Sequence, residues 1–383
     1  MPKLNETIYL AAAVRTPIGK FGGSLKSMTA PELGTASARA TLERSGIDPA
    51  AVDEVVFGCA RQAGVGPNVA RQVAIKSGLR HEVPAYTVNQ ACGSGLRAIM
   101  NAADQIRLGA ASVVLAGGTE SMSNTPYMLP RARWGYRMGD AELVDGMSRD
   151  GFLCPLADEM MGATAETLAE RYGITRDEQD RFAMESQRKA SRANFDAEIV
   201  PLDKLQRDEH PRFDTDLGSL AKLPPVFRKN GTVHAGNSSG ITDGASSMLV
   251  VSEEALQTHG LTPMARIVGY AQAGVDPKIM GIGPVPATRQ LLDDVGMKLD
   301  DVDLVELNEA FAAQVLACDR ELHFDPAKLN VNGGAISLGH PIGATGARIL
   351  TTLLYALQAR EKRYGLATLC ISGGMGLSLL VER

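Results

Sequence analysis

Four stretches of this chain carry residue types that can move an acyl group. In "VNQACGSGLRAIM" (Val88–Met100), Cys92 follows a short apolar run and precedes a helical pattern. That pattern places Leu96, Ile99, Met100, Ala103 and Ile106 on one face, so Cys92 is expected at a helix start, where unpaired N–H groups and the helix dipole favour a thiolate. Gly93 and Gly95 would let other backbone or a substrate approach closely. A small buried cysteine at a tight turn is the plainer account, and for an isolated cysteine it is the commoner one.

In "NGGAISLGHPIGATGAR" (Asn332–Arg348), His340 precedes a proline and a helix start, with Gly333, Gly334, Gly339, Gly343 and Gly346 crowded around it. A His-Pro loop alone reads as structural, but this glycine density implies close backbone packing or a bound ligand. In "TLCISGGMG" (Thr368–Gly376), Cys370 ends an apolar strand before a glycine turn. In "ELNEAFAAQVLA" (Glu306–Ala317), Asn308 closes a strand. It either caps the next helix or holds a water or a substrate oxygen. A thiol, an imidazole and a second acid/base are the parts of covalent catalysis, in which a thiolate attacks a carbonyl, donors hold the oxyanion and another group moves a proton.

The elements that must position these residues form a repeat. "LERSGIDPAAVDEVVFG" (Leu42–Gly58) and "LDDVGMKLDDVDLVELN" (Leu292–Asn308) each end a helix at a glycine, Gly46 or Gly296, with Asp53 or Asp303 seven residues on and a β-rich run after it. Downstream, the segments beginning at Val88 and Val331 each lead into an amphipathic helix and then into a small-residue strand, Ser112–Gly118 or Leu366–Gly374. The offset is about 240–250 residues throughout, as expected of two copies of one α/β unit. Between the copies, roughly Ser121 to Gly240, lies a different, loop-rich region with the only Trp, Trp134. One helix is predicted there over "TRDEQDRFAMESQRKASRA", with Thr175 as its N-cap.

Composition bounds the rest. With 383 residues, two or three structural units are expected. The net charge is -5 and no long basic run occurs, so no nucleic-acid partner is expected. Five widely spaced cysteines with no CxxC fit a reducing compartment and offer no zinc site. The apolar start "IYLAAAV" is too short to span a bilayer and reads as a first strand, so no membrane association is expected.

Taken together, "VNQACGSGLRA", "GGTESMS", "AGNSSGITDGA", "ELNEAFAAQ", "VNGGAISLGHPIGATGAR" and "GLATLCISGGMG" resemble the motifs of the thiolases over nearly the whole length. The resemblance implies a layered αβαβα core of duplicated α/β units. Residues 1–120 form one half, completed by about 241–263; residues 264–383 form the other; 121–240 form an inserted loop domain. It implies acyl transfer between coenzyme A thioesters by a ping-pong mechanism. Two acetyl-CoA would condense reversibly to acetoacetyl-CoA, or a 3-ketoacyl-CoA would be cleaved by coenzyme A. The alternative is a longer-chain degradative member. Cys92 would carry the acyl group, His340 activate it, Cys370 serve as acid/base at the α-carbon, and Asn308 hold a water in an oxyanion hole. Arg212, Ser219 and Ser239 match coenzyme A-contacting positions, and Met161, Phe227, Ala235, Met280, Ala310 and Phe311 match pocket positions. By their residue types alone, Arg212 reads equally as a solvated loop charge and the apolar set as core.

Coenzyme A is then a substrate, and neither a cofactor nor a metal is implied. The same resemblance implies a cytoplasmic homotetramer built as a dimer of dimers, a dimer being the alternative. "RWGYRMGD" resembles the loop that joins dimers. Two positions depart from short-chain members: Met160 stands where they carry a His, and Ser372 where many have Gly. The first points toward longer chains; the second constrains a backbone N–H of an oxyanion hole. Three other readings predict different residues or chemistry. A decarboxylating condensing enzyme of the same fold would carry two histidines with its cysteine, a non-enzymatic coenzyme A-binding relative would have lost Cys92, His340 or Cys370, and a redox dithiol would cycle Cys92 and Cys370 as a disulfide.

Overall fold

The computed structural model describes residues 6–383, so the first five residues of the N-terminal half lie outside it. In the first half, β1 (Ile8–Arg15), α1 (Ala30–Ser45), β2 (Glu54–Gly58), α2 (Val69–Lys76), β3 (Ala85–Val88), α3 (Ser94–Arg107) and β4 (Val113–Ser121) follow in order. An intervening region holds α4 (Met161–Arg171) and α5 (Arg176–Arg192). Next come β5 (Thr242–Ser252), β6 (Pro263–Gly274), α6 (Pro284–Val295), β7 (Leu304–Leu307), α7 (Ala312–Leu322), α8 (Ile342–Ala359), β8 (Tyr364–Ile371) and β9 (Met375–Glu382). The boundary drawn at 263/264 cuts β6 after its first residue.

Nine strands run along one path, β7-β8-β9-β6-β1-β5-β4-β2-β3, with the short strand Gly19–Lys20 paired to β5 off that path. The path reads as two copies about its centre. β2 and β4 are parallel, and β4–β5 and β5–β1 antiparallel. In the same way β7 and β8 are parallel, and β8–β9 and β9–β6 antiparallel. The copies meet where β1 pairs with β6, Tyr9 opposite Arg266 and Leu10 opposite Ala265.

The repeat has a structural cause at each matched residue. Gly46 and Gly296 end α1 and α6 with φ of 67° and 68°, the left-handed conformation a C-terminal glycine supplies. The Asp53 carboxylate accepts the backbone N–H groups of Ser112 and Val113, and that of Asp303 accepts those of Arg363 and Tyr364. Each aspartate thus ties the start of a central strand to the strand beside it. α5 begins at the expected cap: Thr175 Oγ1 accepts from the Glu178 N–H, and Glu178 returns to the Thr175 N–H.

Among the described residues, the three largest apolar clusters lie between the layers. α1 and α2 cover one half-sheet through Leu42, Val55, Val73 and Leu115. α6 and α7 cover the other through Leu291, Leu307, Val315 and Leu366. Between the half-sheets, α3 and α8 pack with Ile99, Met100, Leu350, Leu353, Val250 and Leu379 into the central core. α3 is buried along one face, including all five residues of the predicted stripe. α8 is buried on nearly every side, with only Tyr355, Gln358 and Ala359 reaching solvent. This is the αβαβα layering, and it brings the N-termini of α3 and α8 together.

Candidate active site

Cys92 sits in a tight helical turn, Ala91–Gly93, that feeds directly into α3. The turn is held from both sides. The Ser94 hydroxyl donates to the Ala91 carbonyl at 2.7 Å and accepts from the Gln90 N–H at 2.9 Å. Ala91 takes φ of 45°, a conformation alanine rarely adopts. The glycine after that turn serves backbone packing: a Cβ on Gly95 would fall 2.8 Å from the Ala347 nitrogen of α8. The two helices therefore touch close to Cys92.

The imidazole is placed just ahead of α8. His340 is anchored by its backbone N–H to the Gly240 carbonyl, 3.0 Å. Its Nδ1 lies 2.6 Å from Thr345 Oγ1, whose own proton reaches the Pro341 carbonyl at 3.0 Å. With that proton committed, Thr345 accepts from Nδ1–H, and Nε2 is left as the basic nitrogen. Nε2 has no protein partner, and His340 lines the cleft. Burial, with Arg348 and Arg61 nearby, pushes the His340 pKa down to about 3, so the ring is neutral.

A narrow cleft of about 60 Å³ gathers Cys92, His340 and Cys370 with Met161, Ser239, Met280, Ala310 and Phe311. Arg61, Ala91, Gly151, Phe152, Ile342 and Ser372 complete its wall. The two cysteines are close enough that ionising Cys92 raises the Cys370 pKa, which burial already lifts well above its ordinary value. Asn308 is buried and is not among the residues lining the cleft, and neither its side-chain oxygen nor its nitrogen is hydrogen-bonded to protein. Its backbone N–H pairs with Thr368, so it continues the strand edge and caps nothing with its side chain. Phe227 stacks edge-on against Phe311 with ring centres 6.1 Å apart, lining the cleft wall from outside. Arg212, Ser219 and Ala235 are exposed and lie outside the cleft. Met160 is half-buried and precedes α4, and it is Met161 that reaches the cleft.

Two expectations change. Cys92 at a helix start was expected to rest as a thiolate, but burial raises its pKa above the ordinary value and outweighs Arg61 and two N–H donors, those of Ser372 and of Cys92 itself. Its resting form at neutral pH is therefore the thiol, and a base must take the proton. Ser372, for its part, does not strain the turn. The positive φ values fall on Gly373 and Gly374, at 88° and 89°, leaving the Ser372 N–H aimed at Cys92 sulfur.

Two residues were missed. Glu120 is wholly buried, and its carboxylate accepts the N–H groups of Ala60, Arg61 and Gly343 at 2.9–3.1 Å. It thereby fastens the loop after β2 to the start of α8, and its sequence signal is an acid closing the buried run "VVLAGGTES". Arg61 lies in that loop at the carboxyl end of a parallel strand, where α/β folds place ligand contacts. Among the described residues, no His, Cys, Asp and Glu cluster is spaced to hold a metal ion. No described helix is long and apolar enough to cross a membrane.

Known proteins share this architecture over the full chain. The acetyl-CoA acetyltransferase of Pseudomonas aeruginosa is 52% identical over 391 residues, covering 99% of this chain and 100% of that protein. The crystal structure of the Bacillus anthracis acetyl-CoA acetyltransferase superposes with a TM-score of 0.96 at 47% identity, covering 98% of each chain. Human mitochondrial 3-ketoacyl-CoA thiolase in complex with CoA superposes with a TM-score of 0.97 at 44% identity, covering 99% of this chain and 98% of that one. The family model "Thiolase, N-terminal domain" matches residues 8–254, and "Thiolase, C-terminal domain" matches 261–383. With one cysteine from one half and a histidine and second cysteine from the other meeting in one cleft, on matched halves of one duplicated fold, this chain belongs to the thiolase family.

Proposed function

We propose that this protein is an acetyl-CoA C-acetyltransferase that condenses two acetyl-CoA to acetoacetyl-CoA and runs the same steps backwards in thiolysis. The observation that carries the reading is the meeting of Cys92, the unpartnered Nε2 of neutral His340, and Cys370 in one narrow cleft. Nε2 takes the Cys92 proton, and the sulfur attacks the thioester carbonyl. The new Nε2–H then donates to the carbonyl oxygen as negative charge develops there. The bond to coenzyme A breaks, the departing thiolate takes the Cys370 proton, and an acetyl-Cys92 remains beside a Cys370 thiolate. Cys370, left as the thiolate, then takes a proton from the α-carbon of a second acetyl-CoA; that carbon bonds to the acetyl carbon as the bond from it to Cys92 sulfur breaks, and the sulfur regains its proton from His340. The N–H groups of Cys92 and Ser372 face the acylated sulfur and suit the second oxyanion. A water held by the free amide of Asn308 suits the first.

The longer-chain reading draws on Met160, and on the likeness to a 3-ketoacyl-CoA thiolase. The rate of thiolysis across acyl lengths separates the two, with a steep fall beyond acetoacetyl-CoA expected for the short-chain enzyme. For the mechanism, Cys92→Ser is expected to abolish acyl-enzyme formation, while Cys370→Ala accumulates acetyl-enzyme from acetyl-CoA yet makes no acetoacetyl-CoA. Full condensation by Cys370→Ala sinks the two-cysteine mechanism. The proposed assembly is a cytoplasmic homotetramer. It is supported by the exposed apolar side chains of Trp134, Met138 and Leu143 in the loop region, and light scattering of the purified protein tests it.

A further inference from the structure

Among the described residues lining the cleft, Arg61 is the one permanently charged side chain, and the acyl-transfer steps above leave it unused. It is 6% exposed. Its Nη1 donates to the Asp150 carbonyl at 3.0 Å. Nε and Nη2, which share one edge of the guanidinium, have no protein partner. That edge presents two parallel N–H bonds, the fork that matches the two oxygens of a carboxylate. Glu120 sits close enough to balance the charge, but its oxygens are taken by the backbone N–H groups of Ala60, Arg61 and Gly343. The charge is thus compensated while the buried edge beside Gly151 stays unpaired, which a protein interior does not favour unless something else pairs with it.

The surroundings are built to hold the guanidinium in place. A Cβ on Gly151 would fall 1.9 Å from Nη2 and 2.2 Å from Cζ, so only a glycine lets the group lie there. The ring of Phe152 lies 5.9 Å from Cζ on the same loop. Arg61 also lies within Coulombic reach of Cys92 and His340.

We propose that Arg61 selects acyl-CoA thioesters whose short acyl chain ends in a carboxylate, which docks on the Nε–Nη2 edge while the thioester carbonyl meets Cys92. This rests on the acyl-transfer reading of the cleft and widens its substrate class beyond acetyl groups. The covalent step is unchanged. The Cys92 sulfur forms the new bond to the carbonyl carbon, the bond from that carbon to coenzyme A sulfur breaks, and the departing thiolate takes the Cys370 proton. A chain of equal length ending in a methyl group leaves the edge unpaired and is disfavoured.

The test compares succinyl-CoA with butyryl-CoA, and glutaryl-CoA with pentanoyl-CoA, as acyl donors to the wild-type enzyme. Acetyl-CoA is the reference, and acylation of Cys92 is followed by coenzyme A release and by the mass of the intact protein. At one of the two lengths the carboxylated donor is expected to be favoured on the order of 100-fold, and the ratio to fall to about threefold or less in Arg61→Met and Arg61→Gln. Equal rates for charged and neutral donors in the wild type, which requires no variant to fold, overturn the proposal. So does an equal loss for every donor in the variants, which would place Arg61 on the Cys92 thiolate instead. Acetylation without preference leaves the thiolase chemistry standing and removes only this proposal; no acetylation at all removes both.

Discussion

Replacing Thr345 by valine isolates the contact that sets the His340 tautomer. Thr345 is wholly buried, and valine keeps its branched shape while removing Oγ1. In the wild type, Oγ1 accepts from Nδ1–H at 2.6 Å. Without it, a buried N–H loses its only partner, a cost of about 1–3 kcal/mol. The ring escapes that cost by moving its proton to Nε2, which faces the cleft, but this tautomer cannot take the Cys92 proton. Either way the reactive form lies about 1–3 kcal/mol higher, which lowers the acylation rate roughly 5- to 150-fold, since 1.36 kcal/mol is a factor of ten. Single-turnover acylation by acetyl-CoA measures this step apart from condensation, and Thr345→Ser, which restores the hydroxyl, is expected to recover most of the rate. Acylation of a correctly folded Thr345→Val within twofold of wild type would falsify the tautomer argument.

Two further outcomes follow from buried charge. Because burial holds the Cys92 pKa above its ordinary value, the thiolate fraction should keep growing through pH 9. Alkylation of Cys92 by iodoacetamide, read by mass at that residue, should therefore rise about tenfold per pH unit without levelling off between pH 7 and 9; a plateau below pH 8 would contradict the thiol resting state. Arg15 is fully buried, with Nε 2.5 Å from Glu198 and Nη1 2.7 Å from Asp208. Arg15→Ala strands both carboxylates and should lower the unfolding free energy by about 3–5 kcal/mol in urea titration; a loss under 1 kcal/mol would show that water or protonation relieves them.

Local chemistry made much of this protein legible. Gly46 and Gly296 announced a duplication because ending a helix is a job confined to neighbouring backbone, whereas Asp53 and Asp303 showed only as a matched spacing, since the strand starts they hold lie about 60 residues further on. Cys92, His340 and Cys370 could be picked out because each stands at the end of a recognisable element. What escaped notice depends on contacts across the chain. Glu120 joins residues 60 and 343, and nothing near Arg61 in sequence says that its guanidinium turns into the same cleft as His340. The thiolate expected at Cys92 failed for a related reason. A helix start is a local feature, whereas the burial that overrides it comes from the packing of both halves. Arg212, Ser219 (in the short helix Leu217–Ala221) and Ala235 are exposed, and for exposed residues type alone does not say what is touched.

The all-round burial of α8 bears on how the chain acquires its structure. A helix with almost no wet face has no stable half-finished state, because it needs apolar partners on opposite sides at once. Those partners are strands of both copies, β4 and β5 on one hand and β7 and β8 on the other. Neither copy could therefore be made or stored as an independent module, even though each repeats the other's topology. The duplicated halves share one core through α8, and the cleft at their junction exists only where both are folded.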